Sequence, residues 1–221
     1  VTGAVPGILV DVQRRIESLY GLDPQSPVTD FLIPPEAADS YPGGGSRTLV
    51  SQHGDEVQVG VVLEGAVSDR LAESDPRVHL DTRNLGPFCT LTEEVSHFVY
   101  VLFCARSSRT VTQLELELQG EVDKYLNAAF LLSLQNEGAV SSRLRELLFH
   151  DYHLGRDLPP ERAERYRTAS ALAYRYCGYL ESRLLRPSRL ADLRREARRF
   201  YRLGQRDKLE RIAQLHAARE A

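Results

Sequence analysis

The chain is predicted to be α+β and helix-dominated, a C-terminal helical bundle with a small N-terminal β-hairpin region packed on it. Three observations predict this. Apolar residues recur at helical spacing within the first 20 residues and again from Thr90 onward. Only between Arg47 and Leu63 do apolar and polar residues alternate as strands require. Of the 221 residues 42% are hydrophobic, enough for a sizeable core.

Pro6–Tyr20 reads as a first helix, with Ile8, Leu9, Val12, Ile16 and Leu19 at helical spacing and Gly21 as a left-handed stop. Five prolines and the run Gly43-Gly44-Gly45 exclude regular structure from Asp23 to Ser46, where Phe31, Leu32 and Ile33 are expected to anchor an extended segment. The glycine run has no lysine after it and precedes a strand, so it reads as a linker, not a phosphate loop. Arg47–Gln52 and Glu56–Leu63 form the hairpin around His53-Gly54-Asp55. Two strands are marginal alone, so they are expected to pack on helices or to recruit a third strand around Val78–Leu80, after a short helix over Ala66–Ser74.

Thr90-Leu-Thr-Glu93 and Thr110-Val-Thr-Gln113 match the capping box, which predicts helices over Leu91–Ala105 and Val111–Gln135. Further helices are expected over Ser142–His150 and from Asp157 to about Leu185, then a hairpin of Ser188–Leu203 and Asp207–Ala218 turning at Gly204. A mixed part, residues 1–89, thus packs on a helical part, 90–221, as one compact unit.

Composition narrows the function classes. Three cysteines, Cys89, Cys104 and Cys177, form no CxxC pair, which disfavours a disulfide scaffold or a thiolate zinc site. No apolar run of membrane-spanning length is read, and Arg14 and Arg15 interrupt any signal-peptide pattern. The expected setting is cytoplasmic, with no membrane partner. Of 28 basic residues only Lys124 and Lys208 are lysine, and methionine is absent; with Val1 read as a GTG start, a bacterial origin is expected. Residues 1–140 carry 9 basic and 20 acidic residues, and residues 141–221 carry 19 and 11. The two ends attract each other, or the basic end serves an anionic partner through Arg194, Arg195, Arg198, Arg199 and Arg202. Interleaved acids and overall acidity disfavour nucleic acid, so the partner expected is another protein, a homo-oligomer included.

The segment Glu93–Cys104 is apolar on two opposite sides, which predicts a buried helix and a buried His97. Glu94 and His97 make an E-x-x-H pair, and the next helix offers Glu117 and Glu121 one turn apart. This set is the candidate metal site, for iron, manganese or zinc. It resembles half of a ferritin-like di-metal carboxylate site, which implies a helical-bundle metalloenzyme or metal-binding protein. The other half departs from that pattern: Glu161, Glu164 and Glu181 come without a histidine, and the nearest are His150 and His153. The competing reading is a hydrogen-bonded buried histidine, with Glu121 paired to Lys124. Lys124 itself, beside an apolar stripe, is a candidate low-pKa base or nucleophile. Arg145 and His150 have the R-x4-H spacing and so resemble HEPN-type helical ribonucleases, which implies a remote third activity. No complete catalytic set is present. The leading expectation is a non-catalytic bacterial cytosolic interaction or regulatory protein, with metal binding as the alternative.

Overall fold

The computed structural model describes residues 3–41, 44–54, 56–139, 143–150 and 159–220. Helix-dominated α+β architecture is what it shows. α1 (Ala4–Tyr20) buries Val5, Ile8, Leu9, Val12, Ile16 and Tyr20. It stops at Gly21, at φ 60°, where the amide of Leu22 reaches the Glu17 carbonyl at 2.9 Å. The Pro-rich stretch holds more order than expected: a 3₁₀ turn at Val28–Phe31 and one turn of helix, α2 (Pro35–Ala38), opened by proline.

β1 (Arg47–His53) and β2 (Glu56–Val62) pair antiparallel from Arg47↔Val62 to His53↔Glu56. The third strand expected at Val78–Leu80 does not form; Val78 lies in a turn and is 80% exposed. The sheet's third partner comes from the anchor segment, where Leu32 bridges Val61 in parallel and Ile33 N–H donates to the Val61 carbonyl at 2.8 Å. Gly60 permits this approach, since a Cβ there would meet Ile33 at 2.6 Å. α3 (Gly65–Glu73) follows and buries Leu71.

α4 (Leu85–Arg106) and α5 (Gln113–Gln135) form the centre of the molecule. α4 starts six residues earlier than the Thr90 box predicts. Pro87 sits in its first turn, where a missing N–H costs nothing, so Gly86-Pro87 begins the helix instead of breaking it. Thr90 and Thr92 are interior. α5 is capped by Thr112, not Thr110; its side chain accepts the Glu115 N–H at 3.1 Å. α4 packs on α1, α3, α5 and the hairpin, and α5 on α4, α1, α7 and α6. α4 is long and apolar enough to cross a membrane, against the expectation that no such stretch exists, but 72% of that stretch is buried inside the protein.

α6 (Leu144–Phe149) and α7 (Pro160–Arg183) complete this layer; Ser142 and Asp157, expected at helix starts, lie outside the described residues. A 3₁₀ turn at Pro187–Arg189 leads to α8 (Leu190–Arg202) and α9 (Gln205–Glu220). α8 docks on α1 and α9 on α7. Asp207 falls in the first turn of α9 and is not its cap. Phe200 stacks on Tyr176 and Tyr201 on Tyr20, with ring centroids 3.9 Å and 4.0 Å apart.

Candidate functional site

α5 buries Glu115, Glu117, Gln119, Glu121, Asp123 and Lys124. Charged side chains are rarely buried unless paired, so one helix carrying this many marks where the fold spends stability on something other than packing. Helical spacing sorts them into two stripes. Glu117, Glu121 and Lys124 face α7 and the Glu93–His97 side of α4; Glu115, Gln119 and Asp123 face α1, α9 and the Ser96–Tyr100 side of α4.

The first stripe meets His97, which is 7% exposed as its doubly apolar helix predicts. Its Nε2 lies 3.8 Å from Glu117 Oε2 and its Nδ1 lies 3.8 Å from Glu94 Oε2, both beyond hydrogen-bond length. Nε2 and Glu117 Oε2 are buried without a hydrogen-bond partner. Glu93, His97 and Glu117 each offer one ligand atom, all within 4.8 Å of one another. The ring sits directly on the α5 backbone: a Cβ at Gly120 would lie 2.9 Å from His97 Nε2. Gly120 therefore admits the imidazole, at the roughly 1 kcal/mol a mid-helix glycine costs.

Two of the four expected metal ligands are placed differently. Glu94 accepts the Thr48 hydroxyl of β1, 2.8 Å from Oε2, and lies on the far ring nitrogen. Glu121 takes Lys124 at 2.7 Å, the pairing the competing reading expects, and Lys124 also holds Glu93 at 2.9 Å. Glu93, read from sequence only as a capping residue, takes the inward position. α7 supplies no second half-site: its Glu164 pairs with Arg167, Glu181 with Arg145, and Glu161 is exposed. It brings a cation instead, with Arg165 Nε 3.7 Å from Glu117 Oε1. His153 lies outside the described residues. Among the described residues the cluster holds one histidine and two carboxylates, Glu93, His97 and Glu117, and no second half-site faces it.

Its electrostatics are balanced. Burial alone would depress the His97 imidazolium, but Glu94, Glu117 and Glu93 outweigh it and hold the pKa at about 9. Burial pushes Glu117 upward against His97, and pushes Glu121 upward against Lys124. Burial also acts to raise Glu93, yet Lys124 overrides it and draws the carboxyl down. The site can hold a cation between the orphaned atoms, where a proton on His97 is the competitor. Cys89, near Lys124, stays a thiol, its pKa pushed up to about 12 by burial.

The second stripe is satisfied internally. Asp123 accepts Tyr20 OH, Ser96 Oγ at 2.5 Å and Gln119 Nε2 at 3.3 Å. Gln119 Oε1 accepts the Lys208 ammonium at 2.6 Å, and Glu115 accepts Tyr100 OH and Arg109 at 2.7 Å. Lys208 is fully buried, its Nζ 4.7 Å from the ring centroids of Tyr100 and Phe200. Burial draws its pKa down to about 7, against the pull of Glu115 and Asp123. Between that value and the ordinary 10.5, the unfolded chain binds the proton and the folded chain does not, so this group makes stability rise with pH. The stability of the native protein relative to Lys208→Met is therefore expected to grow by up to about 1.4 kcal/mol per pH unit between about pH 7.5 and about pH 9.5. Urea melts of both proteins measure this; a difference that stays flat across the range contradicts it.

The remaining candidates are tied into the fold. Arg145 pairs with Glu181 at 2.8 Å and lies 4.0 Å over the Tyr174 ring; His150 is exposed, 3.4 Å from Glu146. All five arginines of the basic patch are exposed. Arg195 pairs with Asp192. Arg198 donates to the Leu19 and Ser18 carbonyls at 3.1 and 3.3 Å, and Arg202 to those of Tyr20 and Gly21 at 3.0 and 3.3 Å. These are carbonyls left open by the end of α1, at the negative pole of its dipole. Internal partners of the basic end thus include backbone oxygens of the first helix.

Comparison with protein-family models, with curated proteins and with solved structures returns no match to this chain.

Proposed function

We propose that this protein binds one divalent cation, zinc, manganese or ferrous iron, through Glu93, His97 and Glu117, and acts as a non-catalytic regulatory protein. The observation that carries this is the facing pair His97 Nε2 and Glu117 Oε2, both buried and both without a partner. Orphaned polar atoms in a core cost about 1–3 kcal/mol each, so a pair of them facing one another calls for a bridging group. One imidazole with carboxylates suits those borderline and hard metals. The side chains of His97 and Glu117 are only 8% and 9% exposed, and closed metal sites support structure or signalling more often than turnover. A bacterial, cytoplasmic setting and a protein partner belong to the same proposal, on the near-exclusive use of arginine and the polarised charge.

The test is metal analysis after equilibration with each ion and removal of the excess, beside thermal melts. One equivalent bound is expected, with a stabilisation of about 2.7 kcal/mol at 100 times the dissociation constant. Glu117→Gln, which preserves shape, should weaken binding at least about tenfold, whereas Arg195→Gln should not. Substoichiometric metal with unchanged melting overturns the proposal. Lys124 and Arg165 are then the resident cations of a purely structural ion network.

A further inference from the structure

A groove of about 570 Å³ opens on another side of the molecule, between α1, α5, and the junction of α7 with α8. Its apolar surface comes from Leu126, Phe130, Leu185, Leu190 and Leu193. Phe130 is 47% and Leu190 51% exposed, large apolar groups the fold leaves uncovered. Four cations stand around this surface: Arg14 and Arg15 from α1, Arg186 from the junction and Arg194 from α8. The one acid among the lining residues, Asp11, pairs with Arg77 at 3.2 Å. None of the four arginines is within ion-pair distance of a carboxylate among the described residues.

Arg15 is the most withdrawn of the four. Its Nε and Nη2 are shielded from water and meet no acceptor, and its guanidinium lies 5.6 Å from the Phe130 ring centroid. Burial draws its pKa down and Arg77 adds to the fall, against the pull of Asp11, one helical turn away on α1. Nε and Nη2 are the parallel donors with which arginine grips a carboxylate or phosphate through two hydrogen bonds. The fold therefore sets a desolvated two-donor fork beside an apolar surface and brings no acceptor within hydrogen-bond distance of Nε or Nη2.

We propose that this groove binds a small amphipathic anion, a carboxylate or phosphate head on an unbranched apolar tail, with the head at Arg15 and the tail along Phe130 and Leu190. The volume is in the range of small-molecule sites, about 300–1,000 Å³. The charge excess selects an anion, and the apolar surface selects a tail over a free inorganic ion. This site is separate from the proposed metal centre and stands or falls without it.

Titration calorimetry of the full chain with decanoate, decyl phosphate and decyltrimethylammonium tests the proposal. Saturable one-to-one binding is expected for at least one of the two anions, and their ratio identifies the preferred head. The cation should not bind. Arg15→Gln should weaken the preferred anion at least about tenfold, and affinity should fall with added salt. Arg194→Gln, at an exposed position, should also weaken it and guards against a folding defect in the first variant. No saturable binding, equal binding of the cationic amphiphile, or affinity indifferent to both substitutions overturns the proposal.

Discussion

A chain ending at Arg186 is expected to lose its cooperative thermal transition and to expose apolar surface. α8 and α9 bury Leu193, Ala197, Phe200, Tyr201, Ile212 and Leu215, and two of their aromatic rings stack on Tyr20 and Tyr176. At about 1.5–3 kcal/mol per large apolar side chain, their removal forfeits on the order of 10 kcal/mol. That equals the net stability of a typical domain, about 5–15 kcal/mol. Lys208 and the arginines that close α1 leave with them. Circular dichroism against temperature and binding of a hydrophobic dye read the outcome. A sharp transition within a few degrees of the full chain would make the basic hairpin an appendage, and its arginines a surface kept for a partner.

Asp123→Ala is expected to cost about 3–5 kcal/mol, the range for breaking a buried, fully hydrogen-bonded charged group. The change strands Tyr20 OH, Ser96 Oγ and one Gln119 amide proton in a dry interior. Asp123→Asn retains the volume and one acceptor, so a smaller loss is expected from it. Ser96→Ala removes one donor and should cost about 1 kcal/mol. Urea denaturation of the three variants measures the series. A loss below about 1 kcal/mol for Asp123→Ala would mean that water enters and satisfies the donors, and that this stripe is not a dry core.

Local pattern revealed the elements that depend on local pattern. The stripe of α1, its glycine stop, the hairpin and the burial of His97 follow from residues within one or two turns of each other. The structure departs from local pattern where two signals compete or where distant groups decide. Thr90-Leu-Thr-Glu93 satisfies a start signal, yet Pro87 starts the helix first and frees Glu93 to turn inward. The i, i+3 spacing sets Glu94 beside His97 but does not decide which ring nitrogen it meets or what else on its side draws it away. α4 is surrounded, so neighbouring residues 100° apart both point at protein, one at Thr48 and one at α5. Lys208 stands between Asp207 and Glu210 in the first turn of α9, and its burial follows only from Tyr100 and Phe200, contributed by other helices. Gly120 is legible in the sequence, because a glycine in the middle of a long helix marks a close approach, here that of the His97 ring.

The closure of α1 by Arg198 and Arg202 also constrains the order of assembly. Those contacts join residues 179 to 182 positions apart. During synthesis at about 5–20 residues per second, the first helix leaves the ribosome on the order of tens of seconds before its donors exist. Through that interval its apolar stripe has no α8 to dock on and its last carbonyls rely on water. The end of the first helix is thus sealed from the C-terminal side, and a nascent chain stalled short of residue 198 can pack α1 on α4 and α5 yet leaves its last turn and its α8-facing side open to chaperones and proteases.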